Sequence, residues 1–389
     1  MSIFAGFSSS GVRDPPTHGL YIPLRTAKLR TVGRGCAPHI VTRLRTQLPF
    51  VWGRRTLKAV LAPIDTVLIT GATGFVGSHV VEAIAGQARR IKALVRPTSR
   101  QEHLIQFGIE PVPGSLEDVE SVHRAVASAD VVIHLAAATR AANEAEFARA
   151  NEQGTRAVVD AVLRAERPPR RLVYLSSLAA VGPARNGRPV GPADTPAPLT
   201  AYGRTKLAGE RISQQAASVA QVAVLRAPAV YGPRERDIYD VFRMAKRGIV
   251  VVPSGPPRSL QMIHVADLAR AVVLAATGEA VSGVYHIAEP RAYLWTEIAR
   301  LVAKAVGSKA RLVTIPAGLI AAAGAISEGV GRLIGRPSIF SRDKARELLA
   351  PGWLCETEAA RRDLGFVAAI PLERGLAETA VWYREHGWL

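Results

Sequence analysis

Thr66-Val-Leu-Ile-Thr70, followed without a break by Gly71-Ala-Thr-Gly74-Phe-Val-Gly77, decides how the rest of the chain is read. The first five residues are apolar or β-branched and run into a glycine cluster, the pattern of a short buried strand. Phe75 to Ala85 then reads as an apolar helix. Strand, glycine turn and helix in this order make a phosphate cradle. Gly71 permits the tight turn, Gly74 lets a pyrophosphate approach the backbone, and Gly77 lets the helix pack close to the strand. Amides at the helix start then face the anion. The spacing is GxxGxxG rather than GxGxxG, so the motif takes its weight from what surrounds it.

Working outward, further strand-like runs occur at Ile91 to Val95, Val131 to Leu135, Leu172 to Leu175 and Val222 to Leu225, with Ala-rich stretches of helical spacing between them, such as Asn143 to Ala165. Strands that alternate with helices pair in parallel through right-handed crossovers. The expected fold class is α/β, a doubly wound parallel sheet of Rossmann type with a smaller, mainly C-terminal substrate lobe. Residues 63–232 form the dinucleotide-binding domain in this reading. Residues 233–389 form most of the substrate lobe, with 263–290 returning to the sheet through Gly283 to Ile287. Phe366, Trp382 and Tyr383 are expected to anchor the small lobe.

The composition of the 389 residues, 48% hydrophobic and 21% charged, excludes collagen-like, coiled-coil and wholly disordered chains. The net charge of +18 is unevenly spread. Residues 1–62 hold ten basic residues and one acid, a net +9, and are expected to be a disordered extension, with an organelle transit peptide as the alternative. Of the 50 basic residues 42 are Arg, a compositional bias rather than a phosphate-binding patch, so no nucleic-acid partner is expected. Cys36 and Cys355 have no partner spacing for zinc or a disulfide framework, which favours a reducing compartment and a cytoplasmic location. No metal is expected. No stretch has the 18 or more apolar residues of a membrane span, and Ile315 to Ile326, the longest candidate, reads as a buried or pocket-lining helix.

At the end of the second strand, where a fold preferring NAD carries an acid for the ribose, the chain has Ile91-Lys-Ala-Leu-Val-Arg96. Arg96 can pair with a 2′-phosphate through its planar fork, with Arg100 as helper, so NADP(H) is preferred and NAD(H) possible. Tyr202-Gly-Arg-Thr-Lys206 places a phenol and an ammonium four residues apart on one helix face. A nearby cation favours phenolate and lets a tyrosine exchange a proton near neutral pH. Ser176 and Ser177 close the preceding strand at the sheet's carboxyl end, where Ser177 could hold the same substrate oxygen as Tyr202.

These features together resemble the extended short-chain dehydrogenase/reductase superfamily, which includes NAD-dependent epimerases and dehydratases. The resemblance spans about Thr66 to Leu389 and rests on Thr70 to Gly77, His134-Leu-Ala-Ala137, Asn151-Glu-Gln-Gly-Thr155, Tyr174-Leu-Ser-Ser177, Tyr202-x-x-x-Lys206, Tyr231-Gly-Pro233 and His264-Val-Ala-Asp267. It implies that Ser177 orients the substrate oxygen, Tyr202 is the general acid/base, Lys206 also binds the nicotinamide ribose and Asn151 supports the active-site helix and its proton relay. It likewise implies cofactor contacts from Gly71, Thr73, Gly74, Phe75, Val76, Gly77, Leu135, Ala136, Ala137, Tyr202 and Lys206. Ser176 is the second candidate for the serine role. His134 is expected to pack under the cofactor, and His264 with Asp267 to make a strand-to-helix junction.

Departures from the family pattern narrow the function. Gly114 is followed by Ser115 instead of the Asp that meets adenine, and Arg226-Ala-Pro-Ala-Val-Tyr231 lacks the Asn with which nucleotide-sugar members hold a diphosphate. The chain looks closest to the hydroxysteroid-dehydrogenase, dihydroflavonol-reductase and hopanoid-associated branch. The expected activity is interconversion of a secondary alcohol and a ketone on a small apolar substrate. The alternatives are a nucleotide-sugar epimerase or dehydratase with tightly bound NAD, and a non-catalytic cofactor-binding subunit. A homodimer is implied by resemblance alone.

Overall fold

The computed structural model describes residues 64–279, 281–334 and 340–389. The expectations for the extension 1–62, and for Cys36 within it, lie outside the described residues. Thr66–Thr70 (β1) is buried along its whole length. Val67 and Ile69 join a core on one face of the sheet with Val80, Ile84, Leu268 and Val272. Leu68 points to the other face, among Val122, Val158 and Val162. Both faces are covered, which is why the strand has no polar alternation; each such aliphatic side chain contributes about 1.5–3 kcal/mol on burial.

Six more strands complete the sheet: Arg90–Val95 (β2), Glu110–Pro113 (β3), Val131–His134 (β4), Arg171–Ser177 (β5), Gln221–Ala227 (β6) and Gly283–His286 (β7). Their order is β7-β6-β5-β4-β1-β2-β3 and every pairing is parallel. The winding reverses between β1 and β4, so a crevice opens beyond their carboxyl ends. β5 runs two residues past the expected Leu175, so Ser176 and Ser177 belong to the strand.

The helices used below are Phe75–Ile84 (α1), Gly154–Arg164 (α2), Ala201–Ser213 (α3), Val265–Thr277 (α4), Ala317–Leu333 (α5) and Arg342–Leu349 (α6). The stretch expected as one helix from Asn143 to Ala165 is interrupted. A short helix Glu144–Ala148, capped by Asn143, passes into a π turn at Arg149–Gln153 before α2 begins. Such widened turns are associated with functional positions, and this one carries Asn151.

A third core gathers Tyr231, Phe242, Leu260, Tyr293, Leu372, Leu376 and Tyr383. Tyr383 donates to the Glu235 carbonyl at 2.6 Å and stacks on Trp388. Phe366 departs from expectation: it packs into the sheet core with Ala360 and Leu364, not into this lobe. Asp267 holds that segment, accepting from the backbone N–H groups of Ala369 and Ile370 at 2.8 Å each. Helix α5 departs too. The run Ile315 to Ile326, expected as a buried or pocket-lining helix, leaves Leu319 and Ile326 more than half exposed, as is Val330 beyond it; its other side packs against α6. No helix among the described residues is long and apolar enough to cross a membrane.

Candidate active site

The cradle forms between β1 and α1. Gly71 has φ +76, and a methyl group there would lie 2.6 Å from the Ala136 backbone nitrogen. A methyl group on Gly77 would lie 2.0 Å from the Gly71 carbonyl oxygen. Both contacts are with backbone, so neither neighbour can move aside cheaply. Gly74 differs: beyond the Gly71 oxygen at 3.3 Å its Cβ position faces open space. The first turn of α1 has no side-chain cap and no acidic residue. The helix cannot satisfy the amides of Phe75, Val76 and Gly77. Thr73 and Gly74 are exposed beside them. Leu135 and Ala136 close the opposite wall, donating to the Thr70 carbonyl at 3.1 Å and to its hydroxyl at 3.4 Å, and Ala137 follows. An unpaired set of helix-start amides above an open glycine fits a dinucleotide diphosphate.

This geometry separates packing from binding. Gly77→Ala is expected to lose about 3 kcal/mol of stability by overpacking against backbone. Gly74→Ala is expected to lose about 1 kcal/mol or less and to act mainly on cofactor affinity. Chemical denaturation and nicotinamide titration of both variants check the division; equal stability losses would sink it.

Arg96 stands exposed just past β2, and its guanidinium has no hydrogen bond or ion pair among the described residues. The neighbouring Gly114 donates to the Val95 carbonyl at 2.9 Å. Ser115 is turned toward the next helix, its amide donating to Ser121 Oγ at 3.3 Å. The rim of the crevice at β2 and β3 therefore presents Arg96 and no carboxylate at these positions.

The two candidate serines point apart. Ser176 is buried and donates to Glu210 Oε1 at 2.5 Å, within a cluster where Arg226 holds Glu210 through two hydrogen bonds of 2.9 and 2.7 Å. That cluster ties α3 to β5 and β6. Ser177 lies on the crevice side. Its Oγ accepts from the Ala179 amide at 3.1 Å, and Ser177 is among the groups that bear on the Tyr202 phenol. Thr200 caps α3 through the Gly203 amide at 3.1 Å and so fixes where Tyr202 emerges.

Lys206 behaves differently from the expected phenolate-stabilising cation. Its Nζ donates to the Leu175 carbonyl at 2.7 Å and lies 4.3 Å from the Tyr174 ring centroid, and burial lowers its pKa to about 7. Tyr202 itself is raised above the ordinary phenol value, chiefly by burial. Ser177 and the positive charge of Lys344 pull it back, and Glu347 adds to the rise. The Lys206 ammonium is directed at the strand rather than at the phenol. One carbonyl contact still leaves Lys206 two further N–H donors.

Asn151 uses its amide on protein partners: Oδ1 accepts from Ala138 N at 2.7 Å, while Nδ2 donates to Ala138 O at 3.1 Å and Thr205 Oγ1 at 3.0 Å. Thr205 in turn donates to the Tyr202 carbonyl at 3.0 Å. Asn151 thus joins the loop after β4 to the turn of α3 that carries the tyrosine. His134 sits beneath, 2.6 Å from Thr70 Oγ1 and 3.1 Å from Thr155 Oγ1, and burial lowers its pKa to about 3, so it is neutral.

Sequence reasoning missed α6. Asp343 Oδ2 accepts from the Ala201 amide at 2.7 Å, and Glu347 Oε1 accepts from the Thr200 hydroxyl at 3.3 Å. These carboxylates brace the start of α3 from more than 140 residues away. The signal available was weak: an Asp-Lys-Ala-Arg-Glu run that reads as an ordinary charged helix.

The model of the NAD dependent epimerase/dehydratase family matches residues 67–288. A ceramide reductase of Caulobacter vibrioides is 34% identical over 325 residues, covering 83% of this chain and 96% of that protein. A 4-hydroxy-2-methyl-3-oxo-4-farnesyl-3,4-dihydroquinoline-1-oxide ketoreductase of Stigmatella aurantiaca is 28% identical, covering 79% and 93%. Among solved structures, a UDP-glucose 4-epimerase of Thermotoga maritima superposes with a TM-score of 0.67 at 22% identity, over 82% of this chain and 99% of that one, a likeness of fold.

Proposed function

The chain belongs to the NAD dependent epimerase/dehydratase family, within the extended short-chain dehydrogenases/reductases, as an NAD(P)-dependent oxidoreductase, and from that footing we propose that it interconverts a ketone and a secondary alcohol on a lipid-like substrate. The observation that carries this reading is the placement of Ser177 at the carboxyl end of β5 together with Tyr202 in the first turn of the capped helix α3. The nicotinamide, when bound, supplies the hydride acceptor or donor at the substrate carbon.

The chain's own residues manage the oxygen. The Tyr202 phenol, raised by burial, keeps its proton at neutral pH, which is the form that gives a proton to a carbonyl oxygen as it becomes an alcohol. In the reverse direction the phenolate takes the alcohol proton. Ser177 orients the same oxygen, and Lys206 offers its two remaining donors to the ribose. Asn151 is a positioning residue, acting through Thr205 on the turn that bears Tyr202. The lipid-like class is supported by the named chemistry of the ceramide reductase and by Arg226-Ala-Pro-Ala-Val-Tyr231, which lacks the diphosphate-holding Asn.

NADP(H) is the proposed cofactor, with Arg96 on the 2′-phosphate. Arg96→Asp is expected to move the ratio of NADPH to NADH dissociation constants by about 100-fold toward NADH, the loss of a charge-assisted fork plus a new ribose acceptor. An unchanged ratio would leave Arg96 a solvated surface residue. The activity test is NADPH consumption with long-chain 3-keto lipids. Stoichiometric oxidation supports the reductase. A purified protein that retains NAD through native mass spectrometry, and turns over UDP-sugars with no net change in cofactor, would replace it with the epimerase reading.

A further inference from the structure

Helix α5 is packed on one side. Ile320, Gly324 and Gly331 are buried, and a methyl group on Gly324 would lie 2.9 Å from the Ser341 carbonyl oxygen and 3.0 Å from the Ala345 Cβ. The opposite side carries Leu319, Ala322, Ile326, Val330 and Leu333, whose spacing puts them in one stripe. Leu333 is 88% exposed. Every exposed residue described on α5 is apolar or glycine, whereas every exposed residue on α6 is a cation: Arg342, Lys344 and Arg346. Lys344 and Arg346 reach back to Glu347 and Asp343 yet remain 45% and 62% exposed. The acids themselves turn toward the start of α3. Lys309 and Arg311, just ahead of α5, are also exposed.

A continuous apolar stripe is unusual on a soluble surface and marks a contact. Its occupant has to tolerate the cations beside it. A second copy of this face would set like charges together, and the extension 1–62 carries a net +9 of its own. An anionic bilayer complements both features. We propose that α5 and α6 form a docking face for an anionic lipid bilayer, with α5 lying in the interface, its apolar stripe among the acyl chains, and Arg342 and Arg346 of α6 at the headgroups. The face rests on exposure and charge and not on the substrate reading, which it deepens in one respect: α6 holds the amide of Ala201, the residue before Tyr202.

The test is flotation of the full chain with vesicles of phosphatidylcholine containing about 30% phosphatidylglycerol, against pure phosphatidylcholine. The protein is expected to float with the anionic vesicles, and Ile326→Gln/Val330→Gln/Leu333→Gln to reduce the bound fraction by about tenfold or more. Arg342→Gln/Arg346→Gln, which leaves α5 intact, is expected to weaken binding and its salt dependence. Circular dichroism confirms that both variants fold. No flotation of the parent protein overturns the proposal. So does unchanged flotation of the triple variant, which places binding elsewhere in the chain, or a dimer that the triple variant dissociates while vesicle binding persists. Vesicle binding involves no turnover, so its failure leaves the reductase reading standing, and failure of the lipid ketones leaves the docking face standing.

Discussion

Tyr202→Phe is expected to lower turnover by about 10³-fold, the scale of a lost general acid, while the dissociation constant for NADPH stays within about threefold. The ring is retained, so its packing against Phe147 at 6.0 Å survives, as do the α3 cap at Thr200 and the carboxylates of α6. What is lost is the one proton that the phenol holds at the Ser177 side of the crevice. Single-turnover kinetics with saturating cofactor measure the chemical step directly. A variant that keeps more than about a tenth of parental turnover would remove Tyr202 from the acid/base role. A variant that loses cofactor binding together with activity would show the phenol to be part of the binding site instead.

The second large effect is on stability in mild acid. His79, His134, His264 and His286 are 8%, 2%, 4% and 0% exposed. Burial lowers them to about 3, about 3, about 4 and about 4. Their unfolded-state pKa is about 6.5. Between that value and about 4 the unfolded chain binds protons that the folded chain refuses, so stability is complete above pH 6.5 and is lost as pH falls. Each histidine contributes a slope of about 1.4 kcal/mol per pH unit. Glu235, raised to about 7 chiefly by burial, works in the opposite direction over the same window and cancels one of them. Glu289 and Glu152, also raised chiefly by burial, oppose the histidines as well, so the net slope keeps its sign and is at most about 4 kcal/mol per pH unit. Urea denaturation at pH 7.5, 6.0 and 5.5 reads this before most carboxylates titrate. Equal stability at all three values would mean that these histidines find proton partners in the folded chain.

The sheet was legible because its evidence is local. A buried parallel strand announces itself as a short apolar run, and β1, β2, β4, β5 and β6 each contain one. The cradle was legible for the same reason: Gly71, Gly74 and Gly77 act on one another within seven residues. Ser177 was ranked over Ser176 by its resemblance to the family's spacing, but what occupies Ser176 was not legible, because Glu210 and Arg226 arrive from other elements. The direction taken by Lys206 was hidden too. Helical spacing shows that it shares a face with Tyr202, but the Leu175 carbonyl that captures it belongs to another strand. For Ile315 to Ile326 the apolar run was read as a buried or pocket-lining helix, and an apolar run cannot report whether anything in the fold covers it. Asn151 sits in a π turn that no propensity scale would place, because the turn depends on the Ala138 backbone it engages.

Asp343 and Glu347 tie the fate of two distant helices together. If α6 lifts away, the Ala201 amide loses its acceptor and the Thr200 hydroxyl one of its partners, so the first turn of α3 frays with it. The rest of α3 keeps its own anchor, because Glu210 stays bound to Ser176 and Arg226. In the proposed reaction, the aim of the Tyr202 phenol is thus set by a segment more than 140 residues further along the chain.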